Sequence, residues 1–403
     1  MEEWKEYKAS EFCESVTDGT HDSPKSKDKG FYLITSKHLK DSYIDFASAK
    51  FISREDYQKV IQRSKVEQYD VLFSMIGTIG NTLRVTSPKI EFAVKNMGIF
   101  KFGGNNLNSK WFYYWLKSPK AKEYIKSRLS GSTQSYLTLN SLRDFPVLCP
   151  DNKTKKDIIS ILSSLDDKIE LNRRINENLE QQAQALFKSW FVDFEPFKGG
   201  KFVDSELGMI PEEWRVGYYT ELVDIKGGGT PKTNIKEYWN GDIPFFSPKD
   251  VDSNCFVLDT EKHITAMGLD NCNSNLFPSK TVFITARGTV GKIVMAGTEM
   301  AMNQTNYALL GKHNVSQYYV YLITLQLVTR LLKKANGAVF NAITTRDFTN
   351  ERIVIPFNSI IKSFSSIVEP LYENILLNEF QIKRLSQLRD TLLPRLMSGE
   401  LQI

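Results

Sequence analysis

The sequence of 403 residues repeats itself over nearly its whole length. Residues 2–4 (Glu-Glu-Trp) recur at 212–214, and residues 74–80 (Ser-Met-Ile-Gly-Thr-Ile-Gly) recur at 285–291 (Thr-Ala-Arg-Gly-Thr-Val-Gly). Further matches follow in the same order: Gly19-Thr20 with Gly229-Thr230, Lys37 with Lys249, Gly131 with Gly337, and Pro150 with Pro356. A collinear series disfavours coincidence, so we expect two copies of one unit, each a module of about 150 residues followed by a segment of about 40.

The two segments that close the repeats, residues 153–190 and 359–393, have the pattern of long amphipathic helices. Apolar residues recur with one buried stripe over about five heptads. At about 1.5 Å per residue, 38 residues span about 57 Å, which exceeds what a small module can cover. We therefore expect each stripe to pack against its duplicate in antiparallel orientation. The predicted interface comprises Leu165, Asn172, Leu179 and Leu186 with Leu371, Asn378, Leu385 and Leu392.

Two kinds of residue interrupt this apolar pattern. Asn172 and Asn378 occupy equivalent places in the stripe, where a polar residue can fix register and orientation at a cost in stability. Alternatively, each is a boundary residue that faces water. Pro370 predicts a kink or a new helix start inside the second segment, and Pro394 with Gly399 predicts its end.

Each module has the pattern of a mixed α and β domain. Short β-branched and aromatic runs at residues 31–35, 71–74 and 282–285 predict strands. Residues 111–126 and 318–334 predict helices late in the two modules. The expected fold is α+β, with two globular domains separated by two long helices packed as an antiparallel coiled coil, and with a pseudo-twofold internal repeat. The predicted segments are a first module (1–150), a first helix (151–194), a linker (195–204), a second module (205–356) and a second helix with its tail (357–403).

Composition excludes several classes of protein. The hydrophobic fraction of 41% is too high for a disordered chain. The four cysteines form no C-x-x-C pair, which disfavours a disulfide scaffold or a cysteine zinc site. No apolar run approaches 18 residues, and the charged N-terminus lacks a signal-peptide core. We expect a soluble, cytoplasmic protein that binds no membrane.

The net charge of +5 is mild, but it is unevenly distributed. Residues 1–150 contain 23 Lys and Arg against 17 Asp and Glu, whereas residues 205–356 contain 15 of each. Part of the excess is a basic cluster in the first module, formed by Lys117, Lys120, Lys122, Lys126 and Arg128. Such a cluster weakly favours a polyanionic partner such as nucleic acid.

Motifs that carry catalysis are missing from the sequence. Residues 286–293 resemble a phosphate-binding P-loop, but Ala286 replaces its first glycine and Ile293 replaces the hydroxyl residue that binds magnesium. The four histidines are isolated, without the i, i+4 spacing of a metal site. An adenine-methyltransferase motif and a nucleophile elbow are also missing. We expect this chain to have no catalytic residues, no metal and no bound cofactor.

Both modules instead have short polar loops at corresponding positions after strands. Their Asn, Gln, Lys, Arg, Ser and Thr side chains are those that hydrogen-bond base edges and phosphates, although such residues are also ordinary in turns. The candidate DNA-contacting residues are Thr20, His21, Lys37, His38, Thr78, Asn96 and Gln134 in the first module, and Thr230, Lys249, Arg287, Thr289, Asn303, Gln304 and Asn341 in the second.

Two similar modules on a rigid spacer can engage two sites at a fixed separation. On duplex DNA the natural separation is about one helical turn. Because the modules differ in sequence, the expected target is asymmetric and bipartite. A second hypothesis is a protein-binding assembly scaffold with two duplicated interaction modules. A third, an enzyme that acts alone, predicts methyl transfer or cleavage by the purified chain.

Several runs together match a known family. They are Ala185-Leu-Phe-Lys-Ser-Trp-Phe-Val-Asp-Phe-Glu-Pro196, Ser205-Glu-Leu-Gly-Met-Ile-Pro-Glu-Glu-Trp214, Gly229-Thr-Pro231, Gly241-Asp-Ile-Pro244, the turns at 77–80 and 288–291, and Arg395-Leu-Met-Ser-Gly-Glu-Leu401. With these runs the chain resembles, over its full length, the specificity (S) subunit of type I restriction–modification systems.

The resemblance implies two target recognition domains, each reading one half of a bipartite site on double-stranded DNA. It implies that the helices are spacers that recruit two methyltransferase (M) subunits, which in turn support restriction (R) subunits. The active sites, S-adenosylmethionine, ATP and magnesium would belong to those partners. This chain would then be a non-catalytic recognition subunit.

Overall fold

The computed structural model describes residues 4–40, 43–131, 135–334 and 342–401. The chain divides into two compact units: unit 1 is Met1–Asp167 with Leu385–Ile403, and unit 2 is Lys168–Arg384. Two helices of 40 residues, α6 (Asn152–Phe191) and α11 (Asn358–Met397), each contribute to both units. Each unit therefore contains one module, the start of one long helix and the end of the other.

The described residues of the first module form nine strands and five short helices. The strands are β1 (Lys5–Lys8), β2 (Ser15–Asp18), β3 (Phe31–Ile34), β4 (Lys50–Ile52), β5 (Val71–Ser74), β6 (Thr82–Arg84), β7 (Phe92–Val94), β8 (Met97–Lys101) and β9 (Pro146–Cys149). The helices are α1 (Ala9–Phe12), α2 (Arg54–Ser64), α3 (Asn106–Leu116), α4 (Pro119–Ser127) and α5 (Leu139–Arg143). The strands pair in the orders β1-β9, β2-β8-β5-β6 and β4-β3-β7, and β3 with β7 is the parallel pair.

The second module has most of the same elements in the same chain order, with additional strands. Its strands are β10 (Phe202–Val203), β11 (Ile210–Pro211), β12 (Arg215–Tyr218), β13 (Val223–Gly227), β14 (Trp239–Phe246), β15 (Phe256–Val257), β16 (His263–Ile264), β17 (Val282–Thr285), β18 (Ile293–Ala296), β19 (Ala301–Met302), β20 (Asn306–Gly311) and β21 (Arg352–Ile355). Its helices are α7 (Tyr219–Leu222), α8 (Ala266–Asp270), α9 (Gln317–Lys334) and α10 (Thr345–Thr349). The sheet orders are β10-β11, β12-β21, β13-β20-β17-β18-β15 and β16-β14-β19.

The two modules share one topology. The order β13-β20-β17-β18 repeats β2-β8-β5-β6, and β16-β14-β19 repeats β4-β3-β7, again with one parallel pair. The second module adds β15 to the edge of its larger sheet. The predicted internal repeat and the α+β class are thereby seen in three dimensions.

The structure corrects one predicted helix. The single helix expected over residues 111–126 is two helices, because Ser118 caps α4 with its side chain and Pro119 occupies the first turn. The helix α11 continues through Pro370 without a new start there, and it ends at Met397, between Pro394 and Gly399 as predicted. Around Pro370, the buried Val368 and Tyr372 anchor the helix on the core, which offsets the hydrogen bond that proline removes.

The predicted linker, residues 195–204, is also more structured than expected. It contains a short 3-10 helix, Glu195–Phe197, and the strand β10, which pairs with β11. The ring of Phe197 lies 4.9 Å from that of Trp214, edge to face. The segment therefore packs on the second module instead of crossing solvent.

Each unit has a core to which both long helices contribute. In unit 2 the end of α6 inserts the buried Phe187 and Phe191 beside Tyr319 and Phe364. In unit 1 the end of α11 packs Leu396 and Met397 into the core of the first module. The expectation that the duplicate helix would be the partner was therefore incomplete. The stripes are also covered by the modules, because at each helix end a module offers more apolar surface than a single helix can.

Candidate nucleic-acid interface

The polar loops of each module lie together because the strands that carry them end at the same edge. In unit 1, Asp18 at the end of β2 pairs with Gly98, and Ser74 at the end of β5 pairs with Met97. Both partners lie at the start of β8, so the loops after β2 and β5 flank the connection that precedes β8. In unit 2, Gly227 and Thr285 pair with Tyr307 and Asn306 in the same way.

Backbone hydrogen bonds join three of these loops in unit 1. The N–H of Gly19 donates to Met97 O at 2.8 Å, and the N–H of Asn96 donates to Thr20 O at 3.1 Å. The N–H of Lys95 donates to Ile34 O at 2.8 Å, which ties in the end of β3. The candidates Thr20, His21, Lys37 and Asn96 therefore lie on one continuous loop surface.

The same junction recurs in unit 2 with different side chains. The N–H of Gly229 donates to Met302 O at 3.1 Å, and the N–H of Asn303 donates to Phe246 O at 3.0 Å. The approach requires glycine, because a Cβ on Gly228 would lie 2.2 Å from Asn303 O. Thr230, Lys249, Asn303 and Gln304 are brought together by this junction.

A series of side-chain hydrogen bonds links the loops of unit 1. The buried Asp18 carboxylate accepts a hydrogen bond from Arg63 at 2.6 Å and lies 2.9 Å from Nε2 of His21. The other ring nitrogen, Nδ1, lies 2.8 Å from Oδ1 of Asn96. Sequence reasoning selected His21 and Asn96 but missed Asp18 and Arg63. Arg63 comes from α2, 45 positions along the chain from Asp18, so only the fold reveals the contact.

The side chains of unit 2 make a simpler arrangement. The hydroxyl of Thr230 is hydrogen-bonded to Oε1 of Gln304. The Oδ1 of Asn303 accepts bonds from the backbone and hydroxyl of Thr305 and from the amide of Asn306. Asn303 therefore organises its own turn, while Gln304 is exposed at the surface.

His38 does not belong to the accessible surface, so its assignment as a DNA contact is corrected. Its side chain is buried, and Nδ1 accepts the backbone N–H of Thr35 at 2.9 Å. Asp250 accepts the N–H of Ser247 at 2.7 Å at the equivalent place in the second module. Both residues cap a short 3-10 helix, and burial lowers the pKa of His38, which favours the neutral ring. The neighbouring Lys37 and Lys249 are exposed.

The glycine turns form a second group of candidates beside these loops. Thr78, Arg287 and Thr289 are exposed, and the hydroxyl of the residue before each turn bonds back to a turn carbonyl, Ser74 to Thr78 and Thr285 to Thr289. The glycines adopt positive φ, between 79° and 96° in the first turn and 81° and 82° in the second. Gln134 and Asn341 lie outside the described residues.

The basic cluster of the first module flanks its glycine turn. A Cβ on Gly80 would lie 3.8 Å from Ile125 of α4, so the turn rests on that helix. Lys120, Lys122 and Lys126 on α4 are exposed to solvent. In unit 2 the equivalent turn rests on α9, where Gly291 faces Val328 and Leu332.

The predicted helix interface can be located within each unit. In unit 2, Asn172 is fully buried and donates to Gln381 at 3.1 Å, and Asn378 donates to Asn176 at 2.8 Å. Asn172 therefore does not face water. Leu179, Leu186 and Leu371 are half-buried against the core of unit 2, Leu392 packs on the core of unit 1, and Leu165 and Leu385 are half-buried.

Leu179 offers a test of this packing. Replacing it by aspartate is expected to lower the free energy of unfolding by about 2–4 kcal/mol, because a charge would replace an apolar contact on the core. Leu377→Asp is the matched control, since Leu377 is 60% exposed and its replacement should change stability by about 0.5 kcal/mol at most. Denaturant titration of both full-length variants measures the difference, and equal losses would contradict the packing. Leu385→Asp tests the stripe in unit 1.

Two properties of the described residues bear on function. None of the helices within the described ranges is long and apolar enough to cross a membrane. Over the same ranges, no three His, Cys, Asp or Glu side chains come together as a metal site would require.

Comparison with known proteins decides the family. The family model for the type I restriction modification DNA specificity domain matches residues 1–181 and 211–387. The chain belongs to this family. The match covers both modules, so a type I specificity subunit with repeated target recognition domains is what the sequence encodes, as the resemblance predicted.

Individual relatives agree with this assignment. The chain is 30% identical to the type I restriction enzyme MjaIX specificity subunit of Methanocaldococcus jannaschii, over 89% of this chain and 85% of that one. It is 27% identical to the HindI specificity subunit of Haemophilus influenzae, over 84% and 88%. In fold it is similar to the crystal structure of a type I S subunit from M. genitalium, with a TM-score of 0.57 over 98% and 96% of the chains at 14% identity.

Proposed function

We propose that this specificity subunit reads an asymmetric, bipartite site on double-stranded DNA, one half with each module. The observation that carries the proposal is the duplicated loop edge. Both modules join the same three loops through backbone hydrogen bonds, and the bond from Lys95 to Ile34 in the first module recurs as that from Asn303 to Phe246 in the second, yet the two modules present different side chains there. A constant frame with variable polar side chains suits the reading of two different half-sites.

The candidate contacts fall into two roles. Amide and hydroxyl groups at the loop tips, such as Asn96, Gln304 and Thr78, would meet base edges in the major groove. Exposed lysines and arginines, such as Lys37 and Arg287, would hold phosphates. Each good bidentate base contact would contribute about 1–3 kcal/mol of discrimination.

The proposal includes partners and excludes catalysis by this chain. The helices α6 and α11, paired as an antiparallel coiled coil, would space the modules and recruit two methyltransferase subunits and, through them, restriction subunits. S-adenosylmethionine, ATP and magnesium would be bound by those partners in the cytoplasm. Within unit 2 the bonds Asn172–Gln381 and Asn176–Glu379 support antiparallel pairing, because the position on α11 falls as that on α6 rises.

Mapping modified adenines in host DNA, with and without this gene, tests the proposal. We expect one bipartite motif to lose its modification when the gene is removed. Exchanging one module for that of another specificity subunit should change one half of the motif only. An unchanged motif after exchange would favour the protein-binding scaffold instead, and methyl transfer by the purified chain alone would contradict its non-catalytic role.

The basic cluster of the first module, three lysines of which lie on α4, predicts that the modules contribute unequally to phosphate binding. Replacing Lys120, Lys122 and Lys126 by glutamine should reduce the slope of log K against log salt by about 0.9 for each lost phosphate contact. Fluorescence anisotropy of the full chain on duplex DNA at several salt concentrations measures it. Neutralising three exposed lysines of α6, for which we propose no DNA contact, is the control: Lys153, Lys156 and Lys168. Equal slopes for the two triple variants would refute the role of the cluster.

A further inference from the structure

We propose that His21 controls which atom of the Asn96 amide faces the DNA, so that the base preference of the first module changes with the protonation of His21. The inference rests on the proposed function, because it concerns how one module reads bases. It also assigns Asp18 and Arg63 as positioning residues for this contact.

Asp18 determines which nitrogen of the His21 ring always carries a hydrogen. Its side chain is only 6% exposed, and Nε2 of His21 lies 2.9 Å from Oδ2, while Arg63 bonds Oδ1 at 2.6 Å. A carboxylate that is held by a guanidinium is an acceptor only. Nε2 must therefore carry a hydrogen in both protonation states of His21, and Nδ1 is the atom that changes.

Nδ1 in turn determines the direction of the amide. In the protonated ring Nδ1 donates, so it binds the amide oxygen of Asn96 and leaves the amide NH₂ group outward. In the neutral ring Nδ1 accepts, so the NH₂ group turns inward and the oxygen faces outward. The structure has the amide oxygen inward, with Oδ1 of Asn96 2.8 Å from Nδ1.

The backbone of Asn96 holds still while the amide rotates. Asn96 has a positive φ of 53°, which asparagine tolerates better than most residues, and its N–H is bonded to Thr20 O. Rotation of the terminal amide by half a turn therefore exchanges a donor for an acceptor at the same point of the surface. An outward NH₂ group matches N7 of a purine, O6 of guanine or O4 of thymine, whereas an outward oxygen matches N4 of cytosine or N6 of adenine.

Two charged side chains are bonded in this arrangement, and two more adjoin it in the chain. Asp18 of β2 contacts the ring and Arg63 of α2 bonds Asp18, while Lys95 precedes Asn96 and Asp22 follows His21. The Lys95 ammonium is engaged by the hydroxyl of Ser23, and the Asp22 N–H by the hydroxyl of Thr20. Asp18 is the carboxylate that contacts the ring directly.

The second module provides an internal control. Gln304 stands where Asn96 stands in the repeat, and its amide oxygen is bonded to the hydroxyl of Thr230. A threonine hydroxyl does not gain or lose a proton over the pH range in which histidine does. The base preference at the second half-site should therefore be the same at every pH at which the protein stays folded.

The test is selection of the full chain on a library of randomised duplex DNA, at about pH 5 and about pH 8, which bracket the charge change of histidine. At one position of the first half-site, we expect the preferred base to depend on pH. The ratio of bases read through an acceptor atom to bases read through the amino group of cytosine or adenine should change by about tenfold between the two conditions. The second half-site should not change. A specific motif that is identical at both pH values would overturn the inference alone, whereas no sequence preference at all would overturn the proposed function.

Two variants separate the parts of the arrangement. His21→Gln offers an amide NH₂ group to Asp18 and an oxygen to Asn96, so it should show the high-pH preference at every pH. Asp18→Asn should weaken the pH dependence while retaining a preference at the other positions, which a general loss of folding would not do. A pH dependence that persists in His21→Gln would contradict the role of this histidine.

Discussion

Replacing Gly228 by alanine is expected to remove recognition of the second half-site while the first is retained. The new Cβ would lie 2.2 Å from Asn303 O and 2.6 Å from Met302 O. Both are backbone atoms, so the junction must open, at a cost of about 1–3 kcal/mol. Discrimination at the second half-site should fall at least tenfold, as for about 1.4 kcal/mol of lost contacts.

Gly227→Ala is the matched control, one residue earlier. A Cβ there meets no atom within 4 Å. Its thermal unfolding should therefore match that of the wild type, whereas Gly228→Ala should unfold at a lower temperature. Motif selection on duplex DNA then reports each half-site separately. Identical unfolding of the two variants would mean that the close approach at Gly228 does not hold the loops together.

The second large effect is expected from Asn176→Leu, because this change removes the shorter of two hydrogen bonds to a buried acid. Asn176 donates to Oε1 of Glu379 at 2.8 Å, Asn254 donates to Oε2 at 3.4 Å, and Glu379 is only 7% exposed. Asn176 also accepts the amide of Asn378. The loss of both bonds should lower the free energy of unfolding by about 3 kcal/mol near neutral pH.

This loss should depend on pH in a defined direction. Burial raises the pKa of Glu379 above its ordinary value of 4.5, and the bond from Asn176 opposes that rise. A carboxyl group whose pKa is raised in the folded protein contributes its stability at pH values below the pKa of the unfolded chain. That contribution is lost as the pH rises through the pKa of the folded protein. Without Asn176 the pKa rises further, so the variant should lose more stability between acidic and neutral pH than the wild type.

A double replacement separates charge burial from packing. Asn176→Leu with Glu379→Leu removes the buried acid as well as its donor, and apolar replacements of this kind are often neutral or stabilising. Urea titrations at about pH 5 and about pH 8 measure the free energy of unfolding of both variants. The single variant should regain stability at the lower pH, whereas the stability of the double variant should not depend on pH. A single variant with no pH dependence would show that Glu379 is not the source of the lost stability.

The candidate site illustrates which residues a sequence can reveal. His21, Asn96 and Gln304 were predicted as DNA contacts because they lie in matching polar loops of the two repeats, and the structure bonds each of them to a neighbouring loop. His38 was selected by the same rule, but the structure buries it as a helix cap, the role that Asp250 plays in the second module. Residue type and loop position cannot distinguish a side chain that faces solvent from one that faces its own backbone.

Asp18 and Arg63 were missed for the opposite reason. Asp18 lies in a selected loop, but its repeat counterpart is Gly228, so the comparison of repeats gave no support for a polar role. Arg63 is on a helix whose counterpart in the second module, α8, has only five residues. Their importance comes from a contact across 45 positions, which no local pattern encodes.

The sequence by itself determined the duplication, the α+β class, the extent of the long helices and the family, because each depends on periodicity or on a collinear match. Only the tertiary structure decided which side chains reach the surface, and it placed the end of α6 in the core of the second module and the end of α11 in that of the first. The physical reason is that an amphipathic pattern specifies a face to be buried but not the surface that buries it. That choice depends on which apolar area the folded chain brings within reach.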